Sequence, residues 1–185
     1  VALGSPNVTA FLKAIRLGEG TSDENGYRRI VGGALFDDFS THPYPRVWIE
    51  RYKVHSSASG AYQIIGKTWR NLQREYGFED FSPACQDEAA GALIAEKRAL
   101  GDVEAGDLES AVRKCAPVWA SLPGSKAGQR TESFAAVQKE GLTIKGAKEF
   151  GKYVAEMAGQ GIATSAPAIA VGGGLCQKHY MRQRR

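Results

Sequence analysis

The stretch Leu17-Gly18-Glu19-Gly20-Thr21 places a carboxylate where an amphipathic helix is predicted to end. Apolar residues before it follow the three- and four-residue spacing of one buried helix face: Val8, Phe11, Leu12 and Ile15. Ser5 is the expected N-cap, with Pro6 at the first helical position. Two glycines then end the pattern, so Glu19 is predicted to lie on the last turn or just beyond it.

A carboxylate at a helix C-terminus lies beside the partial negative charge of the last backbone carbonyls. That repulsion, together with the apolar neighbours Ile15 and Leu17, is expected to raise the pKa of Glu19. A carboxyl group that stays protonated near neutral pH can act as a general acid. The alternative interpretation of this stretch is a solvated residue at a helix end.

The composition is that of a globular protein, because 43% of the 185 residues are hydrophobic and 24% are charged. No apolar run approaches the roughly 18–20 residues that a membrane span requires. The positive charge is concentrated late in the chain, where residues 141–185 contain seven Lys and Arg against two Glu. We therefore predict a main domain over residues 1–158 and a glycine-rich, basic tail over 159–185. The body has no excess of basic residues, so we expect no nucleic-acid partner.

Cysteine and histidine spacing predicts neither a disulfide framework nor a metal site. The three cysteines, Cys85, Cys115 and Cys176, show no CxxC spacing and leave at least one without a disulfide partner. The three histidines are scattered and form no HExxH pattern. No metal and no other cofactor is expected.

Beyond the first helix, the patterns predict a small β-lobe and then several helices. Residues 27–36 carry two short strand patterns around Gly32-Gly33, whereas residues 40–58 are predicted to form a long irregular loop. Helices are predicted over these ranges: Ser59 to about 76, Ser82 to about 99, about 108–115, a helix beginning near Thr131, and 143–157. The predicted fold is α+β, mostly α-helical, with a β-hairpin lobe after the first helix and a cleft edged by Glu19.

The order of these motifs resembles that of the phage lambda-type endolysins. The stretches that carry the resemblance are Glu19-Gly20-Thr21, 31–38, His42-Pro43, 59–63, 80–83, Gln86-Asp87 and 119–124. The likeness spans about residues 8–140. It implies a lysozyme-like fold and cleavage of the MurNAc–GlcNAc bond of peptidoglycan as a lytic transglycosylase, without metal or organic cofactor. Two positions depart from the lambda pattern, since Arg28 stands for an Asp and Ala127 for a Tyr.

The resemblance also implies roles for individual residues. It assigns Glu19 the part of catalytic acid and then base. It indicates Tyr62 and Gln63 as substrate-binding residues of the cleft, with Gln129 in the glycine-rich loop opposite. For Tyr62 the alternative is an ordinary core position, and for Gln129 an ordinary loop position.

Three further residues are candidates for substrate binding or proton transfer. Trp48 lies in the predicted long loop, where an indole could stack on a sugar face. His42 could carry a proton, with a structural loop histidine as the alternative. Asp38, with its neighbour Asp37, could supply the second carboxylate that a hydrolytic glycosidase usually needs. A solvated turn is the alternative for both aspartates.

Two other classes remain open beside the transglycosylase: a hydrolytic muramidase with a second carboxylate, and a non-catalytic peptidoglycan-binding module. The expected partner is the peptidoglycan glycan strand, and the expected state is a monomer. No secretory signal is apparent, so we expect synthesis in the host cytoplasm and action on periplasmic peptidoglycan. The basic tail could attract an anionic membrane surface, or it could simply be solvated.

Overall fold

The computed structural model describes Leu3 and residues 5–122. In that part of the chain the regular elements, in order, are α1 Pro6–Gly18, β1 Val47–Ile49, β2 Val54–Ser56, α2 Gly66–Tyr76, α3 Pro83–Glu96, α4 Leu100–Ala105 and α5 Leu108–Cys115. Short 3-10 turns cover Gly26–Arg28 and Glu50–Tyr52. The predicted helices after residue 122 and the domain boundary at 158 lie outside the described residues. Among those described, no helix is long and apolar enough to cross a membrane.

Helix α1 confirms the prediction for the start of the chain. Ser5 is extended and precedes Pro6, whose fixed φ suits the first helical turn and whose missing N–H costs no hydrogen bond there. The predicted apolar face is buried, including Phe11 and Ile15 at 0% exposure. This face packs against α3 and α4, so α1 is anchored along its length and its C-terminal end is fixed in space.

The regular hairpin is not where the sequence predicts it. Strands β1 and β2 pair antiparallel, with Trp48 opposite His55. They lie within residues 40–58, so the prediction of an irregular loop there is wrong over 47–56. Their three-residue length explains the failure, because alternation over three positions is too short to recognise.

Residues 27–36, predicted as two strands, form an irregular paired turn instead. The N–H of Ile30 donates to the carbonyl of Ala34 (2.7 Å), and the N–H of Phe36 donates to the carbonyl of Arg28 (2.9 Å). Gly32 and Gly33 both have positive φ, as the glycine pair predicts. The chain therefore does turn back on itself, but the 3-10 turn over Gly26–Arg28 replaces the start of the first predicted strand.

Helix α2 begins at Gly66, seven residues later than predicted. Residues 59–65 are a tight turn in which Ser59 and Ile64 exchange backbone hydrogen bonds. Gly60 (φ 78°) and Gln63 (φ 47°) have left-handed backbone conformations, which a helix cannot contain. Tyr62 is thus a core residue, as its apolar spacing indicates, but it lies in the turn before α2 and not in the helix.

The later helices follow the sequence more closely. Ser82 caps α3 by accepting a hydrogen bond from the N–H of Cys85, and Pro83 occupies the first turn. Helix α5 has its predicted bounds, with Asp107 as its N-cap. The sequence predicted α3 to about residue 99 and no helix over Leu100–Ala105, where α4 lies. The left-handed backbone of Arg98 (φ 54°) lies between the two helices.

An aromatic cluster joins α2 to the segment over residues 36–44. The ring of Trp69 stacks on Phe78 at 5.6 Å and meets Phe81 edge-on at 4.7 Å. Phe81 in turn contacts Phe36 and the ring of His42. Such ring pairs add stability beyond their area burial. They hold the stretch around residues 36–44 against the helices and so fix one side of the region beyond α1.

Candidate active site

The backbone at the end of α1 holds Glu19 in a fixed position. Three consecutive N–H groups cap the last carbonyls: Glu19 to Ile15 (2.9 Å), Gly20 to Leu17 (3.1 Å) and Thr21 to Arg16 (2.8 Å). Gly20 has a positive φ, which permits the chain to turn here at no steric cost. The side chain of Glu19 therefore projects from a closed helix end and not from a frayed one.

Ser121 contacts the carboxyl group of Glu19 directly. Its Oγ donates a hydrogen bond to Glu19 Oε1 at 2.6 Å. The serine is 4% exposed and lies in the turn after α5, where the N–H of Leu122 donates to the carbonyl of Trp119. This hydrogen bond thus connects the end of α1 to a residue 102 positions later in the sequence.

Thr21 connects this helix end to the turn at residues 59–65. Its side chain is fully buried, and its Oγ1 lies 2.5 Å from the carbonyl oxygen of Ala61 and 3.0 Å from that of Arg16. From the other side, the indole N–H of Trp119 donates to the carbonyl of Tyr62 at 3.1 Å. The turn is therefore tied both to the residue following the Glu19-Gly20 pair and to the segment that carries Ser121.

Gln86 supports the same turn from beneath. Its Oε1 accepts from the N–H of Ala61 (2.8 Å), and its Nε2 donates to the carbonyls of Phe81 (2.8 Å) and Tyr27 (3.0 Å). A Cβ at Gly60 would stand only 2.2 Å from Gln86 Oε1, so glycine is required there. One fully buried side chain thereby satisfies three backbone groups from separate segments.

A second buried polar network lies around Asp87. The hydroxyls of Tyr62 and Tyr27 donate to this carboxylate at 2.7 and 2.9 Å, and the guanidinium of Arg16 stacks over the Tyr27 ring at 4.4 Å. Burial raises the pKa of Asp87, while the two tyrosine hydroxyls and Arg16 oppose that rise. Burial and the neighbouring carboxylate raise the pKa of both tyrosines, so their hydroxyls stay protonated as donors.

Arg16 extends this network back to the helix end. Its Nε and a terminal guanidinium nitrogen donate to the carbonyl of Thr21 at 3.2 and 3.0 Å. A cation in the last turn also opposes the partial negative charge at a helix C-terminus. Glu19 is thus held in place by α1, and the helix end that carries it is bonded to the 59–65 turn and to the segment after α5.

The comparisons with known proteins agree with this architecture. A family model described as Endolysin matches residues 9–146. The chain belongs to the endolysin family. It is 38% identical to an endolysin of Escherichia phage lambda over 74% of this chain and 92% of the relative, and 38% identical to an endolysin of Escherichia phage P2 over 69% and 86%.

Solved structures show the same fold as this endolysin. A bacteriophage lambda lysozyme complexed with a chitohexasaccharide matches with a TM-score of 0.69 and 32% identity, covering 86% of this chain and 97% of that one. A second lysozyme structure from bacteriophage lambda gives 0.65 and 31%, covering 83% and 96%. The lysozyme-like α+β fold predicted from the sequence is confirmed.

Two of the predicted substrate-binding residues of this endolysin are buried. Tyr62 is 2% exposed, and its hydroxyl is engaged by Asp87, so its side chain offers no surface for a sugar contact. His42 is fully buried, with Nε2 at 2.9 Å from the carbonyl of Ile64 and Nδ1 accepting from the N–H of Tyr44. Burial lowers the pKa of His42 and favours the neutral ring. These placements are the ones that the structural alternative for each residue predicts.

Gln63 and Trp48 lie closer to solvent. The side-chain amide of Gln63 donates to the carbonyls of Gly60 (3.0 Å) and Arg29 (3.2 Å), which holds the strained turn together. Trp48 is 46% exposed on β1, and its indole N–H donates to Glu50 Oε2. This exposure is compatible with stacking of the indole on a sugar, which stays a prediction. Gln129 lies outside the described residues.

The two candidates for a second carboxylate, Asp37 and Asp38, are exposed to solvent, and each interacts with a neighbouring residue. Asp37 forms an ion pair with Arg28, one of the two residues that depart from the lambda pattern. Asp38 accepts a hydrogen bond from the N–H of Ser40 at 2.8 Å, and hydrogen bonding from Ser40 holds the pKa of Asp38 below its ordinary value. Each aspartate thus has the local partners expected of a turn residue.

The residues that sequence reasoning did not assign to the site are Ser121, Thr21, Gln86 and Asp87. All four belong to stretches that carry the family resemblance, but their contacts depend on long-range packing. Within Leu3 and residues 5–122, no group of three His, Cys, Asp or Glu side chains could hold a metal ion. Cys85 and Cys115, the cysteines of that part, are buried and are not joined in a disulfide.

Proposed function

We propose that this endolysin cleaves the β-1,4 bond between MurNAc and GlcNAc in bacterial peptidoglycan as a lytic transglycosylase, with Glu19 as its acid and base. The observation that carries the proposal is the carboxyl group of Glu19, fixed at the end of α1 and hydrogen-bonded by Ser121. Membership of the endolysin family and the fold shared with a lysozyme complexed with a chitohexasaccharide support a glycan substrate.

The reaction needs only one carboxyl group at each stage. Glu19 gives its proton to the glycosidic oxygen, and the bond from that oxygen to C1 of MurNAc breaks through an oxocarbenium-like transition state. The 6-hydroxyl of the same MurNAc then attacks C1, and the Glu19 carboxylate takes the hydroxyl proton. The products are a free GlcNAc hydroxyl and a 1,6-anhydro-MurNAc end, and the enzyme returns to its starting protonation state.

The environment of Asp37 and Asp38 supports a mechanism with a single carboxylate. A hydrolase usually needs a second carboxylate to activate water or to act as nucleophile. Asp37 is committed to Arg28, and the low pKa of Asp38 reflects its hydrogen bonds with Ser40. Neither has the buried setting in which a carboxylate's charge acts most strongly.

The product distinguishes the transglycosylase from a muramidase. Digestion of purified sacculi should release fragments with 1,6-anhydro-MurNAc ends, each lighter by one water than a hydrolytic product. Mass spectrometry of the released muropeptides measures this difference directly. Reducing MurNAc ends alone would establish hydrolysis instead, and Asp37→Asn and Asp38→Asn variants would then identify the second carboxylate.

For the cellular setting, we propose synthesis in the host cytoplasm and action on the periplasmic wall, by a monomer that binds glycan strands and no nucleic acid. The basic end of the chain is proposed to attract the enzyme to an anionic membrane surface. Its charge supports this, because residues 160–185 contain Lys178, Arg182, Arg184 and Arg185 and no acidic residue. Each basic residue near such a surface contributes about 1 kcal/mol.

Removal of residues 160–185 should weaken binding to anionic vesicles at low salt, since the net charge falls from +4 to 0. The difference from the full chain should shrink as salt rises, because dissolved ions screen the attraction between exposed charges. The screening length is about 8–10 Å near physiological ionic strength. Cosedimentation with phosphatidylglycerol vesicles measures binding, and cleavage of soluble glycan fragments, expected to be unchanged, is the control. Equal binding of the truncated and the full chain at every salt concentration would show that the tail does not attract the protein to the membrane.

A further inference from the structure

The basic residues of the described chain are concentrated in one region. Residues 39–74 contain six Lys and Arg against a single acidic residue, Glu50, whereas the other described residues contain eight against fifteen. All six basic residues of this region are exposed: Arg46, Arg51, Lys53, Lys67, Arg70 and Arg74. The region comprises β1, β2 and α2. A body in which acidic residues are in excess thus carries one positive region, and such a region attracts anionic partners.

Three of these residues form a basic face along the solvent side of α2. Lys67, Arg70 and Arg74 follow one another at three- and four-residue steps, which place side chains on the same face of a helix. The opposite face of α2 is buried through residues such as Trp69. Glu75, about 100° around the helix from Arg74, borders the basic face. The three cations are therefore presented together on a convex, exposed surface.

No carboxylate neutralises the basic face within the described part of the chain. The ion pairs found there do not include Lys67, Arg70 or Arg74. Arg74 donates to the neutral amide oxygen of Asn71 at 2.7 Å, and the guanidinium of Arg70 lies over the ring of Tyr44 at 4.8 Å. Like charges three and four residues apart destabilise a helix, so the basic face does not serve the stability of α2.

The basic face adjoins the β1–β2 hairpin. Tyr44, under the guanidinium of Arg70, lies two residues before the exposed Arg46. After the hairpin, Ser57 Oγ accepts a hydrogen bond from the N–H of Gly66, the first residue of α2, at 2.9 Å. The segments on both sides of the hairpin thus lie against the first turns of α2, and the positive charge of the hairpin adds to that of the basic face.

We propose that the basic face of α2 binds the surface of an anionic lipid bilayer. Sugar chains and other small ligands are bound in concave sites, whereas a convex helix face with unpaired cations fits a flat anionic surface. The interaction does not depend on the role proposed for Glu19. It acts together with the basic end of the chain, because a second weak contact from the same molecule forms at a high effective concentration.

The combined variant Lys67→Gln, Arg70→Gln and Arg74→Gln, made in the full chain, tests this proposal. Gln has a helix propensity close to those of Lys and Arg, so α2 should be retained. Binding to phosphatidylglycerol vesicles at low salt should fall by about 10- to 100-fold, because each cation near an anionic bilayer adds to the attraction. Cosedimentation over a range of vesicle concentrations measures binding. The loss should shrink as salt rises, and phosphatidylcholine vesicles should bind neither protein.

Lys13→Gln, Arg98→Gln and Arg113→Gln together are the matched control. They remove the same charge from α1, from the connection between α3 and α4, and from α5, so they do not share a face with α2. We expect this variant to lose less than about threefold in vesicle binding. Both combined variants should cleave soluble glycan fragments at the wild-type rate.

The double variant Lys67→Gln and Arg74→Gln keeps the contact between Arg70 and Tyr44, and it decides the test if the triple variant does not fold. Its vesicle binding should fall by about 5- to 20-fold. Circular dichroism melts establish that each variant is folded at the temperature of the binding assay.

Two results would overturn the proposal. Equal losses in the basic-face variant and its matched control would show that only the overall charge matters. Unchanged binding to vesicles with weaker binding to purified sacculi would show that the basic face recognises the carboxylates of the wall and not a lipid surface. Neither result bears on Glu19, whose role is tested separately by the loss of lysis in Glu19→Gln.

Discussion

Glu19→Gln should lower the rate of sacculus lysis by at least about 10³-fold, within the range for removal of a general acid–base group. The amide is nearly isosteric with the carboxyl group and can still accept the hydrogen bond from Ser121. It cannot give a proton to the glycosidic oxygen or take one from the 6-hydroxyl. The loss should appear in kcat, with binding to sacculi preserved and the thermal midpoint nearly unchanged.

Turbidity loss of purified sacculi measures the rate, and cosedimentation measures the binding. Glu104→Gln on α4 is the matched control, because it makes the same chemical change at an exposed carboxylate and should keep full activity. A Glu19→Gln variant that lyses at a comparable rate would contradict the mechanism. It would also return attention to the non-catalytic binding module, which needs no acid at a helix end.

The sequence predicted those elements whose signals are local. Helix α1 follows from its apolar spacing and from Pro6 after Ser5, and α3 follows from the pair Ser82-Pro83. Both signals lie within a few residues of the structure that they specify. The position of Glu19 at the end of α1 was predictable for the same reason, since Gly18 and Gly20 bracket it.

The 59–65 turn was not predictable, because distant partners impose its conformation. The left-handed backbone of Gln63 is compatible with the sequence only once the carbonyls of Arg29 and Gly60 accept from its amide. Gln86, which fixes Ala61, lies 25 residues away along the chain. An apolar pattern through Tyr62 fits a helix equally well until these contacts are known.

The same reasoning explains why the family resemblance identified the stretches that form the site but not the contacts between their side chains. The resemblance named the stretches that contain Thr21, Gln86 and Ser121 without indicating which of their side chains would meet. Tyr62 was assigned to the cleft, yet its hydroxyl points to Asp87 beneath the surface. Contacts that span long stretches of chain are properties of the folded molecule, and no local spacing encodes them.

Gln86→Ala should destabilise the protein by about 3–5 kcal/mol, because it leaves three buried backbone groups without their partner. These are the N–H of Ala61 and the carbonyls of Tyr27 and Phe81. For a protein of this size the thermal midpoint should fall by about 10 °C. Circular dichroism melts measure the loss. Lysis rates below the transition should also fall, since the turn that Gln86 fixes is bonded to Thr21, close to the proposed catalytic acid Glu19.

Gln73→Ala on α2 is the matched control for this change. Gln73 also has its amide within reach of two partners, Tyr44 and the carbonyl of Phe78, but both distances are 3.4 Å and the side chain is only partly buried. Water can replace such long, accessible hydrogen bonds, so its removal should cost less than about 1 kcal/mol. If the two variants melted within 2–3 °C of each other, a difference of less than about 1 kcal/mol at this size, Gln86 would not be the brace of the 59–65 turn. The turn would then depend mainly on Thr21 and Trp119, whose bonds to the carbonyls of Ala61 and Tyr62 both variants retain.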